Sequence, residues 1–259
     1  MRLHNFLDEI TATWVERPAI VEDLFAHYDD VVQFDFGDIT DVPGDEWKGL
    51  QDYGLELMKF RMFALPFERS CYSFQSDGYQ YLVSCRIVGY EMQIIGTRSA
   101  KGYFTMSWGK MDLVRSAEKG QIVTNGVNVW PPQETESAQR QAGVLCVYDA
   151  RNFIALTCMM QADGVTTNCV AEPTALNRAR ARKGKRPIHE IRTVHIKVGE
   201  KTFSPSGRSH GSHASPRLHW RRGHIRRLQS GQVTTVRPCL VGDVSAGRVA
   251  HAGYVVDRR

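Results

Sequence analysis

The run from Glu68 to Trp108 constrains the fold most. It reads ERSCYSF, then an Asp77-Gly78 junction, then YQYLVSCRIVGYEMQIIG and KGYFTMSW. β-Branched and aromatic residues dominate these segments. An Asp-Gly pair supplies the positive φ that a tight hairpin turn needs, so the run predicts an antiparallel hairpin or meander. Upstream, Val31, Val32, Phe34 and Phe36 predict a short strand between polar turns.

Helical spacing brackets this β-rich run. Phe6, Ile10 and Trp14 lie four apart, and Pro18 precedes a second short helix. Leu50, Tyr53, Leu57, Phe60 and Ala64 share one face of a helix that Pro66 is expected to end. A further helix is expected from Glu134 to Tyr148 after Pro131-Pro132, with RNFIALTCMM following as a buried strand. The expected class is α+β: a mixed N-terminal region of antiparallel strands and helices, then a small basic C-terminal module rich in β-hairpin.

The chain has 259 residues, 42% of them hydrophobic and 24% charged. Such a chain can bury a sizeable core, and disorder is excluded as the default. No uninterrupted apolar run approaches the roughly 18 residues that cross a bilayer, and MRLHNFLDEITATW lacks the apolar stretch of a secretory signal. The expected location is the cytosol of a bacterial host, with no membrane partner. Cys71, Cys85, Cys146, Cys158, Cys169 and Cys239 form no C-x-x-C pair, which argues against a zinc ribbon and for reduced core thiols.

Charge is distributed unevenly. Residues 1–172 carry 14 basic and 24 acidic side chains, a net of −10, whereas residues 173–259 carry 19 and 4, a net of +15. The boundary at Pro173 therefore divides an acidic α+β domain, 1–172, from a basic linker helix and β-rich module, 173–259. In the acidic part, no Lys or Arg occurs from Glu22 to Glu46. Its Asp29, Asp30, Asp35, Asp38, Asp41 and Asp45 could offer oxygen ligands to Mg²⁺, but their spacing matches no metal motif, and a solvated loop is the expectation.

In the basic part, TALNRARARKGKRP predicts a helix from Ala175 to Lys183 with Thr174 as its N-cap and Gly184 and Pro187 as its stop. Val194, Ile196 and Val198 alternate as one strand face, and the Gly, Ser and His-rich segment from Gly199 to Pro216 reads as a mobile loop. RLHWRRGHIRRL, QSGQ and VTTV predict a hairpin turning at Ser230-Gly231, its first strand running unbroken from Leu218 to Leu228.

ALNRARARKGKRPIHE, HASPRLHWRRGHIRRL and RPCLVGD together resemble a module that recurs in uncharacterised proteins of bacteriophages and prophages. The resemblance covers roughly the last third of the chain. It implies a viral or prophage origin and transfers no catalytic residue.

Three classes of function follow from the residues. The first is binding of nucleic acid or another polyanion, for which Arg178, Arg180, Arg182, Lys183, Lys185, Arg186, Arg217, Arg221, Arg222, Arg226 and Arg227 are the candidates. Few aromatics follow Pro173, so backbone tracking is expected rather than base stacking. The competing expectation is that this surface docks on the acidic part of the same chain. The second class is a metal-independent endoribonuclease with His219 or His224 as proton-transfer group among arginines. A zinc site from His210, His213, His219 and His224 is a weaker variant, since only Cys239 is in range, and no cofactor is expected. The third class is an interaction protein that blocks a host defence system, with the stretch from Glu22 to Glu46 as its contact surface.

Overall fold

The structure is a computed structural model that describes residues 8, 28, 31–40, 44–100, 103–130, 136–170, 173–185, 187–188, 191–196, 217–221, 223–241 and 243–248. The expected helices before Tyr28, the segment 199–216, His210 and His213 lie outside the described residues, as do Asp29, Asp30, Asp41, Arg186, Val198 and Arg222.

The class is α+β. The first elements are β1 (Val32–Asp38), α1 (Gly44–Lys59), β2 (Arg69–Ser76), β3 (Tyr79–Val88), β4 (Glu91–Ala100), β5 (Tyr103–Asp112), α2 (Leu113–Lys119) and β6 (Thr124–Trp130). Then come α3 (Glu136–Met160), β7 (Val165–Val170), α4 (Thr174–Ala181), β8 (Ile191–Ile196), β9 (Arg217–Arg221), β10 (His224–Arg227), β11 (Val233–Val236), β12 (Cys239–Val241) and β13 (Asp243–Arg248).

The main sheet has eight strands in the order β6-β5-β4-β3-β2-β1-β8-β7. The expected meander is its centre. β2 through β5 pair antiparallel in succession, and Asp77 and Gly78 both take positive φ at the first turn. β1 pairs parallel with β2 on one side and with β8 on the other. β8 comes from beyond residue 173, so the sheet draws on both sides of the charge boundary.

Both faces of the central strands are buried, which is why YQYLVSCRIV reads as a run and not as an alternation. One face presents Phe34, Tyr72, Phe74, Tyr81, Val83 and Ile94 to α1 and α3. The opposite face holds Cys71, Leu82, Ile95 and Met106, with Gln33 Nε2 donating to Ser73 Oγ at 2.9 Å. Tyr28 is buried with its hydroxyl facing Thr97 on that side.

α3 corrects the expected helix-then-strand. The chain stays helical through RNFIALTCMM to Met160. From Phe153 to Met159 every side chain is buried, because the helix lies between the sheet and α1. A helix wrapped on all sides loses the polar face that a helical period needs, so its sequence mimics a buried strand. The window Gly143–Met160 is also long and apolar enough to cross a membrane, and 61% of it is buried within the fold.

α1 ends before the expected Pro66. Arg61 takes φ +56°, its N–H bonds the Met58 carbonyl at 2.9 Å, and the Met62 N–H bonds that of Leu57 at 2.7 Å. That is a Schellman closure, and it excludes Ala64 from the helix. In α4, Thr174 is the first helical residue, not the cap; Pro173 occupies the cap position without a side-chain bond. Gly184 does close that helix, with φ +64°.

One polar network crosses the core. Asp149 on α3 is fully buried, 2.8 Å from an Arg98 guanidinium nitrogen and 2.5 Å from Ser107 Oγ. Gly96 makes room for it: a Cβ there would overlap the Asp149 carboxylate. Arg98 in turn lies over the rings of Tyr81 and Tyr148, at 5.8 and 5.3 Å. Burial pushes the Asp149 carboxyl above its ordinary value of 3.8, and Arg98 and Ser107 only partly oppose this.

The expected core thiols are Cys71, Cys85, Cys146 and Cys158, all buried; Cys169 is exposed and Cys239 half-buried. Burial pushes the Cys146 thiol up to about 12, and raises those of Cys71, Cys85 and Cys158 further, so none is a nucleophile at neutral pH.

Candidate interaction surface

The basic residues fall on two elements. On α4 and the turn after it, Arg178, Arg182, Lys183 and Lys185 are exposed. Arg180 is turned inward onto Asp8, with guanidinium nitrogens 2.9 and 3.1 Å from its two carboxylate oxygens, and Lys185 Nζ reaches the same carboxylate at 3.0 Å. Partial burial pushes the Asp8 carboxyl up, but the two cations outweigh it and hold the group below 3.8. Part of the basic helix thus docks on an acid from the start of the chain. The side chain of Asn177 fixes the return of the chain, accepting from the Ile188 N–H at 2.7 Å and donating to its carbonyl at 2.9 Å.

The second element is the expected hairpin, with β10 antiparallel to β11 and Arg226 opposite Thr234. Gly231 takes φ +81° in the turn. The unbroken strand from Leu218 to Leu228 is not found. β9 belongs to a separate sheet with β12 and β13, and the chain breaks between β9 and β10 around Gly223. A Cβ on Gly223 would stand 2.8 Å from the Tyr53 ring and from Pro238, so only glycine lets the strand bend against α1.

This bend orients the hairpin. Ile225 packs on the core, so the alternate residues His224 and Arg226 point outward, and both are exposed. Arg221 and Arg227 are exposed too. None of these arginines has a carboxylate partner among the described residues. Arg217 and His219 lie on β9, His219 opposite Val241. His219 and His224 therefore belong to different sheets. Among the described residues no three His, Cys, Asp or Glu side chains gather as a metal site requires.

Of the acids of the N-terminal stretch that are described, Asp35 and Asp38 accept hydrogen bonds from within the fold. Asp35 accepts from Ser73 Oγ at 3.2 Å, and Asp38 from the N–H and hydroxyl of Thr40 at 2.9 and 2.6 Å. Asp45 sits in the first turn of α1, where a carboxylate complements the helix dipole. Sequence reasoning placed Tyr53 on a helix face but did not foresee that Tyr53, Gly223 and Asn177 position the two basic elements. The one available signal was a glycine in the middle of a strand pattern, which marks a close approach of backbone.

The molecule is thus an α+β protein with a mainly antiparallel sheet, one long central helix and exposed cations on two short elements. Residues 116–242, just under half of the chain, match the model of the AcrVA2-like family, described as the anti-CRISPR type V subtype A2 family. The matched span runs from within α2 to just past β12 and is consistent with a phage protein. No curated protein and no solved structure matches the chain.

Proposed function

We propose that this chain is a phage or prophage accessory protein that blocks a host defence system by contact with one of its components in the host cytoplasm. The match of residues 116–242 to a family described as anti-CRISPR type V subtype A2 carries the reading, and a type V CRISPR system is accordingly the target we propose. The matched span includes α3, which packs on the sheet, and both basic elements, α4 and the hairpin of β10 and β11.

The test is plasmid interference in bacteria that carry a type V CRISPR system programmed against the plasmid. Expression of this chain should restore transformation to the level of an untargeted plasmid, and should leave an unrelated CRISPR type active. Continued interference at a confirmed level of folded protein would reject the proposal.

Nucleic-acid contact is a second reading, favoured by one observation: Arg226 and Arg227 are exposed and lack a carboxylate partner among the described residues. Arg178, Arg182 and Lys183 would extend that contact. Replacing Arg226 and Arg227 by alanine should change stability by less than about 0.5 kcal/mol, because neither is packed. It should lower the slope of log affinity for duplex or structured RNA against log salt by about two units, one per lost phosphate contact. An unchanged slope would remove the hairpin from any such contact.

A further inference from the structure

A cleft of about 310 Å³ opens where the ends of α1 and α3 meet the start of β7 and the chain leaving the basic hairpin. That volume is at the small end of the range for small-molecule sites, roughly 300–1,000 Å³. Buried Tyr53 and Leu57 form its floor. Met62, Met160 and Val165 form apolar sides, and Thr235 and Arg237 close it from the hairpin.

The fold holds these walls in place. The Schellman closure of α1 sets Met62, whose N–H bonds the Leu57 carbonyl at 2.7 Å. Gln161 Nε2 donates to the Ala64 carbonyl at 3.2 Å and so ties the segment after α1 to the end of α3. The Asp163 N–H bonds the Pro238 carbonyl at 3.0 Å, which anchors the chain next to Arg237. The Tyr53 hydroxyl bonds the Thr235 side chain and feels the positive charge of Arg237, so these three groups lie close together.

The cleft carries a charge that the chain leaves unmatched. Of the residues that line it Arg237 alone is charged, and it is exposed, with no carboxylate partner among the described residues. Tyr53 does not serve as its counterion, because burial above all raises the phenol beyond its ordinary 10.0 and keeps it neutral. Glu56 is felt at the Tyr53 hydroxyl from α1 but does not line the cleft. Next to this cation, Met62 is left 41% exposed. A single exposed apolar side chain is ordinary, but here it shares one concave surface with a second thioether and an unmatched guanidinium.

We propose that this cleft binds a small monocarboxylate with a short apolar tail: the carboxylate pairs with the Arg237 guanidinium, and the tail lies on Leu57, Met62 and Met160. A guanidinium fork takes a carboxylate through two parallel charge-assisted bonds, and thioether side chains adapt to an apolar tail. Inorganic phosphate fits less well. One cation offsets only part of its charge, and the apolar sides offer it no donor. The proposal uses none of the residues named for nucleic-acid contact and is independent of the defence-blocking function.

The test uses the full chain with ¹³C-methyl methionine, the resonances of Met62 and Met160 being assigned among the eight methionines by Met62→Leu and Met160→Leu. Hexanoate should shift both resonances saturably. Acetate keeps the charge without the tail, and hexan-1-ol keeps the tail without the charge; each of them, and inorganic phosphate, should need about tenfold more for half-saturation. Arg237→Gln should raise the half-saturation concentration of hexanoate about tenfold or more. Met62→Glu puts a carboxylate into the cleft and should do the same, read at Met160. Both positions are exposed, so both variants should melt as the parent does. The proposal falls if hexanoate shifts neither resonance, or if acetate, hexan-1-ol or phosphate binds as tightly as hexanoate. It also falls if either variant, shown to be folded by its thermal melt, binds hexanoate as the parent does.

Discussion

Asp149→Leu should destabilise the protein by about 3–5 kcal/mol, read from urea or thermal unfolding. The carboxylate is fully buried and is the charge partner of Arg98, whose side chain is only 13% exposed. Removing it leaves a buried guanidinium with the Leu145 carbonyl, at 2.9 Å, as its remaining acceptor there. Ser107 also loses its acceptor. The double variant Arg98→Met with Asp149→Leu should recover most of the loss, because a buried ion pair replaced whole by apolar side chains is often neutral. A double variant no more stable than the single one would place the cost in packing instead. The folded carboxyl titrates above 3.8, so this site's contribution is fully present below 3.8 and declines as pH rises through the elevated value. The difference between parent and Asp149→Leu should therefore widen as pH is lowered from neutrality toward 3.8. Asp8 runs the other way: its carboxyl is held below 3.8, so what it contributes is lost as pH falls through that lowered value.

Phe153→Ala should cost a similar amount, about 3–5 kcal/mol, or roughly 6–20 °C in Tm for a chain of this size. Phe153 is fully buried and stacks on Tyr72, with ring centroids 4.2 Å apart and planes within 8°. Tyr72 is tied to the same helix through Thr157, 3.0 Å from its hydroxyl. Deleting the Phe153 ring opens a cavity between α3 and β2 that this bond prevents from closing. Phe153→Leu should cost clearly less, and Val144→Ala on the exposed part of the same helix should stay within about 0.5 kcal/mol.

Local signals were readable where a few neighbouring residues decide the structure. The Asp77-Gly78 turn, the face Leu50, Tyr53 and Leu57, the strand at Val32 and the hairpin after Gly223 are of this kind. The second half of α3 was not readable, since a helix enclosed on all sides carries no period. The parallel pairing of β1 with β2 and β8 was equally hidden, because nothing local to VQFDFGD distinguishes its neighbours. The Asp149 and Arg98 pair joins positions 51 apart on a helix and a strand, and only Gly96 inside a strand hinted at a close approach. Trp47 and Asn152, 105 apart in the chain, meet only once α1 has packed on α3. Of the basic residues, charge density showed where they cluster, but not that Arg180 turns inward to Asp8.

The place of β8 sets a timetable for the chain's birth. Gln33 in β1 finds its partner Ile191 only after nearly three quarters of the polypeptide has left the ribosome. The meander from β2 to β5 contains only local pairings and can assemble as it emerges, whereas β1 keeps an open edge until β8 arrives, and β7 has no neighbour before then. Long-range strand pairing is slow because loop closure precedes its reward, and an open strand edge is the surface on which nascent chains stick to one another. Translation speed through residues 130–190, rather than the finished protein's stability, should therefore govern how much of it a cell recovers in soluble form.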